Sequence, residues 1–370
     1  MKLPRTYCSF LFLFCLVAAL VGCSTTSTEA PLQPALAPTA ALPTPAVTSQ
    51  AAQPAAPASA PQATTLPAPL LIVQGGNLWR LQEDASEQLT SSGDAFQPAV
   101  SPDGTAIVYV QRAISGSNIV RIATPAAGQS ASPPTPLTDD IAAPALYSYE
   151  RIYNSRWAFY PVWSPNGTAL AFASQFGPPS GSPAAEYRMS LFTITPEGSD
   201  ERQVFGDSSG HVGRAAYAPD GSEIVFAFSP VGDDPPTLYR YTIATEHTEQ
   251  LPGALQQSYD PAFFPDGRWL AFAARTSNGT NIFAMPAQGG SPVKLTTIGE
   301  ARAPAFSADG RWLAFLAASP GSNSFDAWVT NVQLNASGAL QAGTPRQLTT
   351  AMHLDADSGV AWLQPIAQIR

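Results

Sequence analysis

The chain has 370 residues, of which 37 are Pro and 27 are Gly, and only 12% are charged. Proline breaks helix interiors and glycine weakens them, so this composition excludes a helical bundle. The formal net charge is −9, and the only lysines are Lys2 and Lys294, so no basic cluster marks the chain for nucleic acid or an anionic membrane surface.

Residues 1–22 have the features of a secretory signal peptide. Lys2 and Arg5 form a short positive region, and the apolar stretch from Ser9 to Val21 is too short for a comfortable transmembrane helix. The segment ends in Leu20-Val21-Gly22-Cys23, which resembles the bacterial lipobox. The resemblance implies cleavage before Cys23 and lipidation of that residue. The alternative is an uncleaved anchor, or an ordinary signal peptide with a chance cysteine.

The cysteines also limit the chemistry of the rest of the chain. All three lie in its first 23 residues: Cys8, Cys15 and Cys23. The body of the protein therefore has neither a disulfide framework nor a cysteine-based metal site.

Residues 23–69 are predicted to be the lipidated cysteine followed by a disordered tether. Positions 24–69 contain 14 Ala, 10 Pro and one charged residue, Glu29. The prolines are spaced so that no helix can propagate, which favours polyproline II structure. The segment would serve as a stalk that holds a domain away from the membrane, or as a spacer whose length is not selected.

From Leu70 onward the chain repeats one pattern five times. Each copy has a Pro-Asp-Gly or related turn between two apolar segments. The turn residues that we expect to be structural are Asp103, Gly104, Asn166, Gly167, Asp220, Gly221, Asp266, Gly267, Asp309 and Gly310. Proline sets the first position of a type I turn, Asp or Asn takes the second, and Gly accepts the positive φ that follows.

The segment after each turn is apolar on both faces, which indicates a strand buried on both sides. Its third position is always aromatic: Tyr109, Phe172, Phe226, Phe272 and Phe315. Most units end in a Leu-Thr pair, as at Leu89-Thr90 and Leu295-Thr296. Four strands in a repeating unit of roughly 43 residues are typical of a β-propeller.

The repeat of aromatic-Ser-Pro-Asp-Gly followed by apolar-Ala-Phe resembles the WD40-like (PD40) β-propeller repeat of the TolB family. The resemblance covers residues 70–366 within a predicted domain of 70–370, and it implies an all-β fold of six blades with four antiparallel strands each. At the C-terminal end, Val360 to Leu363 resembles an innermost strand, but no Pro-Asp-Gly turn follows it. At the N-terminal end, the segment that starts with Leu70 to Leu81 resembles the three outer strands of a blade that lacks its innermost strand. We therefore expect the C-terminal strand to close the ring against the N-terminal strands.

Residues just before the inner strands are expected to form a ring around one mouth of the central channel. They are Asp94, Phe96, Gln97, Arg156, Trp157, Tyr160, His211, Arg214, Tyr259, Asp260, Glu300, Arg302, Asp355 and Asp357. Aromatic and charged side chains are common on binding faces, so we interpret the ring as a binding face. The alternative is that a channel mouth is polar simply because water fills it.

The longest insertion leads into the second repeat and is rich in aromatic residues. Its rim-loop members are Tyr147, Tyr149 and Tyr153. Tyrosines on a loop are typical of interface hot spots, but an extra strand packed locally would need them equally.

Catalytic interpretations are weaker. Gly206 to Gly210 fits G-x-S-x-G, but a nucleophile elbow requires a following helix, and a strand is predicted there. The three histidines are scattered, which argues against a zinc site. Asp94, Asp260, Asp355 and Asp357 could converge on a channel Ca²⁺ or act as a glycosidase pair.

We therefore expect a binding scaffold at the cell envelope rather than an enzyme, with no cofactor apart from a possible channel Ca²⁺. Its partner would be a protein or peptide, or alternatively a glycan, and not nucleic acid. It would be a monomer that meets the membrane only through its lipid anchor, on the periplasmic or cell-surface side. The alternative is an envelope hydrolase, or a carbohydrate-active or lactonase-like propeller, that uses the carboxylates of the channel mouth.

Overall fold

The structure is a computed structural model that describes residues 65–83, 85–141, 155–175, 188–206, 210–230, 235–319 and 321–363. Within these residues all regular structure is β, and the strands form six antiparallel sheets. Nowhere in the described ranges is there a helix with the length and apolar character that crossing a bilayer requires. The six sheets are the blades of a propeller, which confirms the predicted fold class.

The blades, numbered I to VI, follow the chain. Blade I begins with β1 (Leu70–Gln74), β2 (Asn77–Gln82) and β3 (Ala85–Gln88). Blade II contains β4 (Ala95–Val100), β5 (Ala106–Arg112), β6 (Ser117–Ala123) and β7 (Thr135–Pro136). Blade III contains β8 (Ala158–Trp163), β9 (Leu170–Gln175), β10 (Met189–Ile194) and β11 (Arg202–Phe205).

The second half of the ring repeats this order. Blade IV contains β12 (Gly210–Tyr217), β13 (Glu223–Pro230), β14 (Thr237–Thr242) and β15 (His247–Gln250). Blade V contains β16 (Ser258–Phe263), β17 (Trp269–Thr276), β18 (Gly279–Pro286) and β19 (Val293–Lys294). Blade VI contains β20 (Ala301–Phe306), β21 (Trp312–Ala318), β22 (Phe325–Leu334), β23 (Leu340–Ala342) and β24 (Arg346–Gln347).

The last strand, β25 (Ala361–Trp362), returns to blade I as its innermost strand. Leu70 pairs with Trp362 and Leu71 with Ala361 in antiparallel register. The Trp362 ring is buried, and its Nε1 donates a hydrogen bond to the Ala305 carbonyl oxygen in blade VI at 3.0 Å. The predicted closure of the ring is therefore confirmed.

The core lies between neighbouring blades, because the second strand of each repeat is buried on both faces. The five aromatic residues predicted at the third position of these strands are all buried. Between blades V and VI, for example, Phe315 packs with Ile282 and Leu295 in one apolar cluster. Each blade therefore buries its apolar faces only by stacking on its neighbours.

The turns after the inner strands are held by their own polar side chains. Oδ1 of Asp103 accepts hydrogen bonds from Ser101 Oγ at 2.6 Å and from the Thr105 amide at 3.0 Å. These bonds lower the pKa of Asp103 to about 2, so the carboxylate stays ionised as the turn requires. Gly104 follows with φ +73°, the left-handed conformation that the sequence pattern predicts.

The same turns contact one another around the channel. A Cβ built on Gly221 would lie 3.5 Å from the ring of Pro165, and one built on Gly267 would lie 3.7 Å from Pro219. Each glycine thus lies against the turn proline of the preceding blade. These turns lie side by side at one end of the channel, which we call the turn face.

The Leu-Thr pairs end the outer strands by binding the third strand of the same blade. In blade V the Leu295 amide donates to the Ile282 carbonyl oxygen at 2.8 Å, and the Ile282 amide donates to Thr296 Oγ1 at 2.9 Å. The same pair of bonds joins Thr90 with Leu78 in blade I. The hydroxyl therefore satisfies an amide that would otherwise be buried without a partner.

This contact makes a stability prediction. Replacing Thr296, which is fully buried, by the isosteric valine leaves the Ile282 amide without its acceptor. We expect T296V to lower the free energy of unfolding by about 1–3 kcal/mol. Urea unfolding measures the difference, and T135V, at an exposed position of β7, is the matched control. Equal midpoints for T296V and wild type would contradict the assigned role.

The N-terminal boundary of the packed domain differs slightly from the prediction. Leu66 and Ala68, which the sequence assigns to the tether, pack against an apolar cluster with Leu70 and Trp312. The Leu66 amide donates to Glu83 Oε1 at 2.6 Å. Two apolar side chains in an otherwise Pro/Ala-rich segment can be buried here because the edge of the closed ring offers a matching surface. The predicted signal peptide, Cys23 and tether residues up to 64 lie outside the described residues.

Candidate functional site

The inner strands share a β-bulge at the level where the predicted ring begins. The register shifts there in β4, β8, β12, β16 and β20. Gln97, Tyr160 and Asp260 occupy the bulge with φ between 50° and 54°, which is uncommon for residues other than glycine. Bulges redirect side chains, and here the redirected side chains of different blades meet.

The first meeting point is Asp260, whose side chain is only 4% exposed. Its carboxylate accepts hydrogen bonds from Arg214 Nε and Arg302 Nε, each at 3.2 Å. The Ala303 amide donates a third bond at 3.1 Å. Asp260 therefore joins blades IV, V and VI through two arginines.

The second meeting point is Asp357, in the segment before the closing strand β25. Gln97 Nε2 and the Tyr160 hydroxyl both donate to its carboxylate at 2.9 Å. Arg302 Nη2 lies 3.6 Å from Oδ1, and Arg214 Nη2 donates to the Asp357 carbonyl oxygen at 2.6 Å. Asp357 thus links the closing segment to blades II, III, IV and VI.

We call this cluster the channel plug. Its members are Gln97, Tyr160, Arg214, Asp260, Arg302 and Asp357. Burial, reinforced by the nearby Asp357 charge, raises the pKa of Tyr160, so its hydroxyl remains a donor. Burial opposes the charge of Arg302, but Asp260 and Asp357 outweigh that effect and raise its pKa. Within the plug, these shifts keep the Tyr160 hydroxyl protonated and the Arg302 guanidinium charged.

Beyond the plug the channel widens into a cavity of about 1140 Å³ that reaches the turn face. Tyr160 and Arg214 are the plug residues that line it. Its wall includes one residue at the same position of every inner strand, and all six are small and apolar: Ala99, Val162, Ala216, Ala262, Ala305 and Ala361. Small side chains leave the channel wide. A ligand that binds there would remove their apolar surface from water.

The turn-face mouth of the cavity is more polar than its wall and carries acidic groups. Asp220 accepts hydrogen bonds from the amide and hydroxyl of Ser222, and these bonds lower its pKa. Asp266 is paired with Arg268 at 2.7 Å. Glu223 lies 3.0 Å from Arg240, and burial raises its pKa. The lining of the mouth thus has more carboxylates than guanidinium groups, whereas the floor has the guanidinium of Arg214.

Several predicted ring residues do not join the plug. Arg156 pairs with Asp140 at 2.6 Å and with Glu201 at 3.4 Å, away from the channel axis. Nδ1 of His211 accepts a bond from the Met189 amide at 3.3 Å. Glu300 forms a backbone bridge with Thr280. These three residues connect their blades to the preceding blade and do not contact the plug.

The remaining aspartates of the predicted ring cap nearby groups. Gln111 Nε2 donates to Asp94 at 2.9 Å, and the Ser358 amide donates to Asp355 at 2.8 Å. No group of three or more His, Cys, Asp or Glu side chains suited to a metal ion occurs in the described ranges.

The aromatic members of the ring pack against one another and against arginines on the plug side. Phe96 lies 4.0 Å from the guanidinium of Arg112, and the Trp157 and Phe159 rings stack 5.7 Å apart. The Arg302 guanidinium lies 5.3 Å from the ring of Tyr259. The rim-loop residues Tyr147, Tyr149 and Tyr153 lie outside the described residues.

Two features of the site were missed by the sequence analysis. The hydroxyl of Ser358 accepts a bond from the Gln97 amide at 3.1 Å, and Arg112 Nη2 lies 3.9 Å from Asp357. The wall of alanines was also overlooked as part of a site. Its signal was present, because Pro-Ala recurs in three of the inner strands, at Pro98-Ala99, Pro261-Ala262 and Pro304-Ala305.

Comparison with known proteins agrees with this architecture. The TolB beta propeller domain family matches residues 151–347, which is more than half of the chain. The chain therefore belongs to the TolB β-propeller family, as its repeats predicted.

Solved structures with the same fold are distant in sequence. TolB from Acinetobacter baumannii aligns with a TM-score of 0.57 and 17% identity over 80% of this chain and 66% of that one. A putative TolB from Agrobacterium tumefaciens aligns with a TM-score of 0.54 and 15% identity, covering 76% of this chain and 88% of that one. A chain of a nidogen/laminin complex aligns with a TM-score of 0.55 and 12% identity, covering 80% and 98%. The chain thus spans less than two thirds of the Acinetobacter TolB.

Proposed function

We propose that this protein is a lipid-anchored propeller of the cell envelope that binds a segment of a partner protein in its central cavity. The observation that carries the proposal is the cavity beside the plug. It has a volume of about 1140 Å³ and an apolar wall, and it extends from Tyr160 and Arg214 of the plug to the turn face. A large, concave and mostly apolar site with a few polar groups is the usual form of a binding site.

Membership of the TolB β-propeller family supports a scaffold of this kind. The lipobox-like end of residues 1–22 supports an extracytoplasmic position, with Cys23 as the anchor. One structural neighbour comes from a nidogen/laminin complex, so a propeller of this fold takes part in a protein assembly there. These features favour a protein or peptide over a glycan as partner.

The plug also favours binding over catalysis. A hydrolase would need a carboxylate free to exchange a proton or attack substrate. Asp260 and Asp357 are each held by arginines and further donors, and Asp94 and Asp355 bond to neighbouring side-chain and backbone groups. The carboxylates on which the hydrolase alternative depends are therefore occupied in structural contacts.

The proposal is tested by filling the cavity. Ala262 lines the channel, so A262W would place an indole in the space that a partner segment needs. A photo-crosslinking residue at Gln288, which also lines the cavity, should give a specific adduct in the native cell. We expect A262W to reduce the yield of that adduct at least tenfold.

The matched control is S86W, which adds the same side chain to an exposed position of β3. It should leave the adduct unchanged, and both variants should melt close to the wild-type temperature. Equal adduct yields in wild type and in a folded A262W would show that the cavity is not the binding site.

A further inference from the structure

The polarity of the cavity defines an orientation for anything that enters it. Arg214 stands at the floor, and its Nε and Nη2 are engaged by Asp260 and by the Asp357 carbonyl oxygen. Its Nη1 makes no hydrogen bond to any described residue. A Cβ built on Gly359 would lie 3.0 Å from this nitrogen, so a larger residue at that position would crowd the guanidinium.

The charges around the floor leave a positive surplus. Arg214, Arg302 and Arg112 bring three guanidinium groups close to two carboxylates, those of Asp260 and Asp357. Both carboxylates already accept hydrogen bonds from arginine or from Gln97 and Tyr160. An additional anion next to Arg214 Nη1 would therefore complete the charge balance of the floor.

The mouth has the opposite character. Asp220 and Glu223 line it, and the pKa of Asp220 is lowered by its hydrogen bonds from Ser222, so that carboxylate is ionised. The lining of the mouth has three carboxylates, those of Asp220, Glu223 and Asp266, and one guanidinium, that of Arg268. A negative group would therefore be attracted more strongly at the floor than at the mouth. Between the two ends lie the six small apolar wall residues, which offer no charge to a ligand.

The depth of the channel fits a short stretch of extended polypeptide. Four residues separate Arg214 from the turn that begins after Ala218, which corresponds to about 13 Å of strand. An extended peptide has the same rise for each residue, so about four residues would span the cavity. The polar groups of Asn166 and Gln288 at the mouth could then bind its main chain.

We propose that the cavity captures the free C-terminus of a partner polypeptide, with the terminal carboxylate against Arg214 Nη1 and the last apolar residues along the alanine wall. The inference rests on the proposed function and adds the chemistry and the direction of the bound segment. A guanidinium that presents an unpaired N–H to a carboxylate forms a charge-assisted hydrogen bond, which is stronger than a neutral one.

The experiment compares peptides that differ only at their C-terminal group. Two hexapeptide libraries with apolar residues at the last three positions are prepared, one as free acids and one as C-terminal amides. Retention of both by the immobilised, lipid-free protein is measured by mass spectrometry, and the affinities of retained sequences are measured by fluorescence anisotropy. We expect the free acids to bind about 10–100-fold more tightly than their amides.

Arg214 variants test the assigned contact. R214Q should remove the preference for free acids while amides bind as before, and R214K should restore part of it. R202Q, which removes an exposed guanidinium from β11 outside the cavity, should leave the preference intact. Thermal melts of all three identify any variant whose plug has loosened, and R214K keeps the test valid if R214Q does not fold.

The outcomes separate this inference from the proposed function. Equal binding of acids and amides by wild type would overturn the C-terminal orientation and leave a peptide-binding cavity standing. No retention of either library would overturn both. Displacement of the peptides by palmitate, with palmitate bound more tightly than any peptide, would overturn the peptide assignment in favour of a lipid ligand.

Discussion

A chain that ends at Gly359 is expected to lose soluble folding, although it keeps all five complete repeats. The truncation removes β25, whose Trp362 is buried between blades I and VI. Removing a buried tryptophan side chain costs about 3–5 kcal/mol, and the whole domain is stabilised by only about 5–15 kcal/mol. The truncation also exposes the edge of β1, where Leu70 and Leu71 are fully buried, and an apolar free edge promotes aggregation.

The measurement is the yield of soluble protein together with its melting temperature. A chain that ends at Leu363 keeps β25 and is the matched control. W362A keeps the backbone of the strand but not the indole, so it should remain soluble with a clearly lowered melting temperature. A soluble chain ending at Gly359 that melts like wild type would show that ring closure does not stabilise the domain.

Asp260→Asn should be the most destabilising single charge change in the plug. Asp260 neutralises Arg214 and Arg302 in a site where its own side chain is 4% exposed. Removing one partner of a buried ion pair costs about 3–5 kcal/mol because the other charge is left uncompensated. The side chains of Arg214 and Arg302 are 20% and 26% exposed, so water partly screens their charges. We therefore expect a loss of stability near the lower end of this range, about 3 kcal/mol.

The control is D266N, which breaks the pair between Asp266 and Arg268 at the turn face. Arg268 is 68% exposed there, so we expect a loss below about 1 kcal/mol. Chemical unfolding measures both variants. If D260N and D266N were equally stable, the plug would have no special role. The double variant D260N/R302Q should lose less than the sum of its single changes, because the two residues interact directly.

The sequence determined the blades almost completely. The turns are determined by local contacts, because the hydrogen bonds of the Asp103 carboxylate and the positive φ of Gly104 involve only neighbouring residues. Closure of the ring was also predictable. The domain begins with three outer strands that lack an inner strand, and it ends with an inner strand that lacks outer strands. These features follow from local periodicity, which a single sequence displays directly.

The partners of the polar residues could not be predicted in the same way. Gln97 and Asp357 are separated by 260 positions and meet only because the ring closes. Fourteen side chains were candidates for one ring, but bulge geometry turned some of them into the channel, whereas Arg156 and His211 contact the preceding blade. A repeat pattern shows how far along its strand a residue lies, but it does not show in which direction the side chain points.

The location of the open cavity was likewise a tertiary result. Aromatic and charged residues before the inner strands pointed to a binding face at that mouth, but several of those charges satisfy one another and form the channel plug. The small residues of the inner strands were not among the candidates, yet six of them line a common space that opens at the turn face. Sequence periodicity determined the fold and its closure, whereas the closed ring decided which charges are neutralised and which end of the channel can receive a ligand, because both depend on contacts between blades.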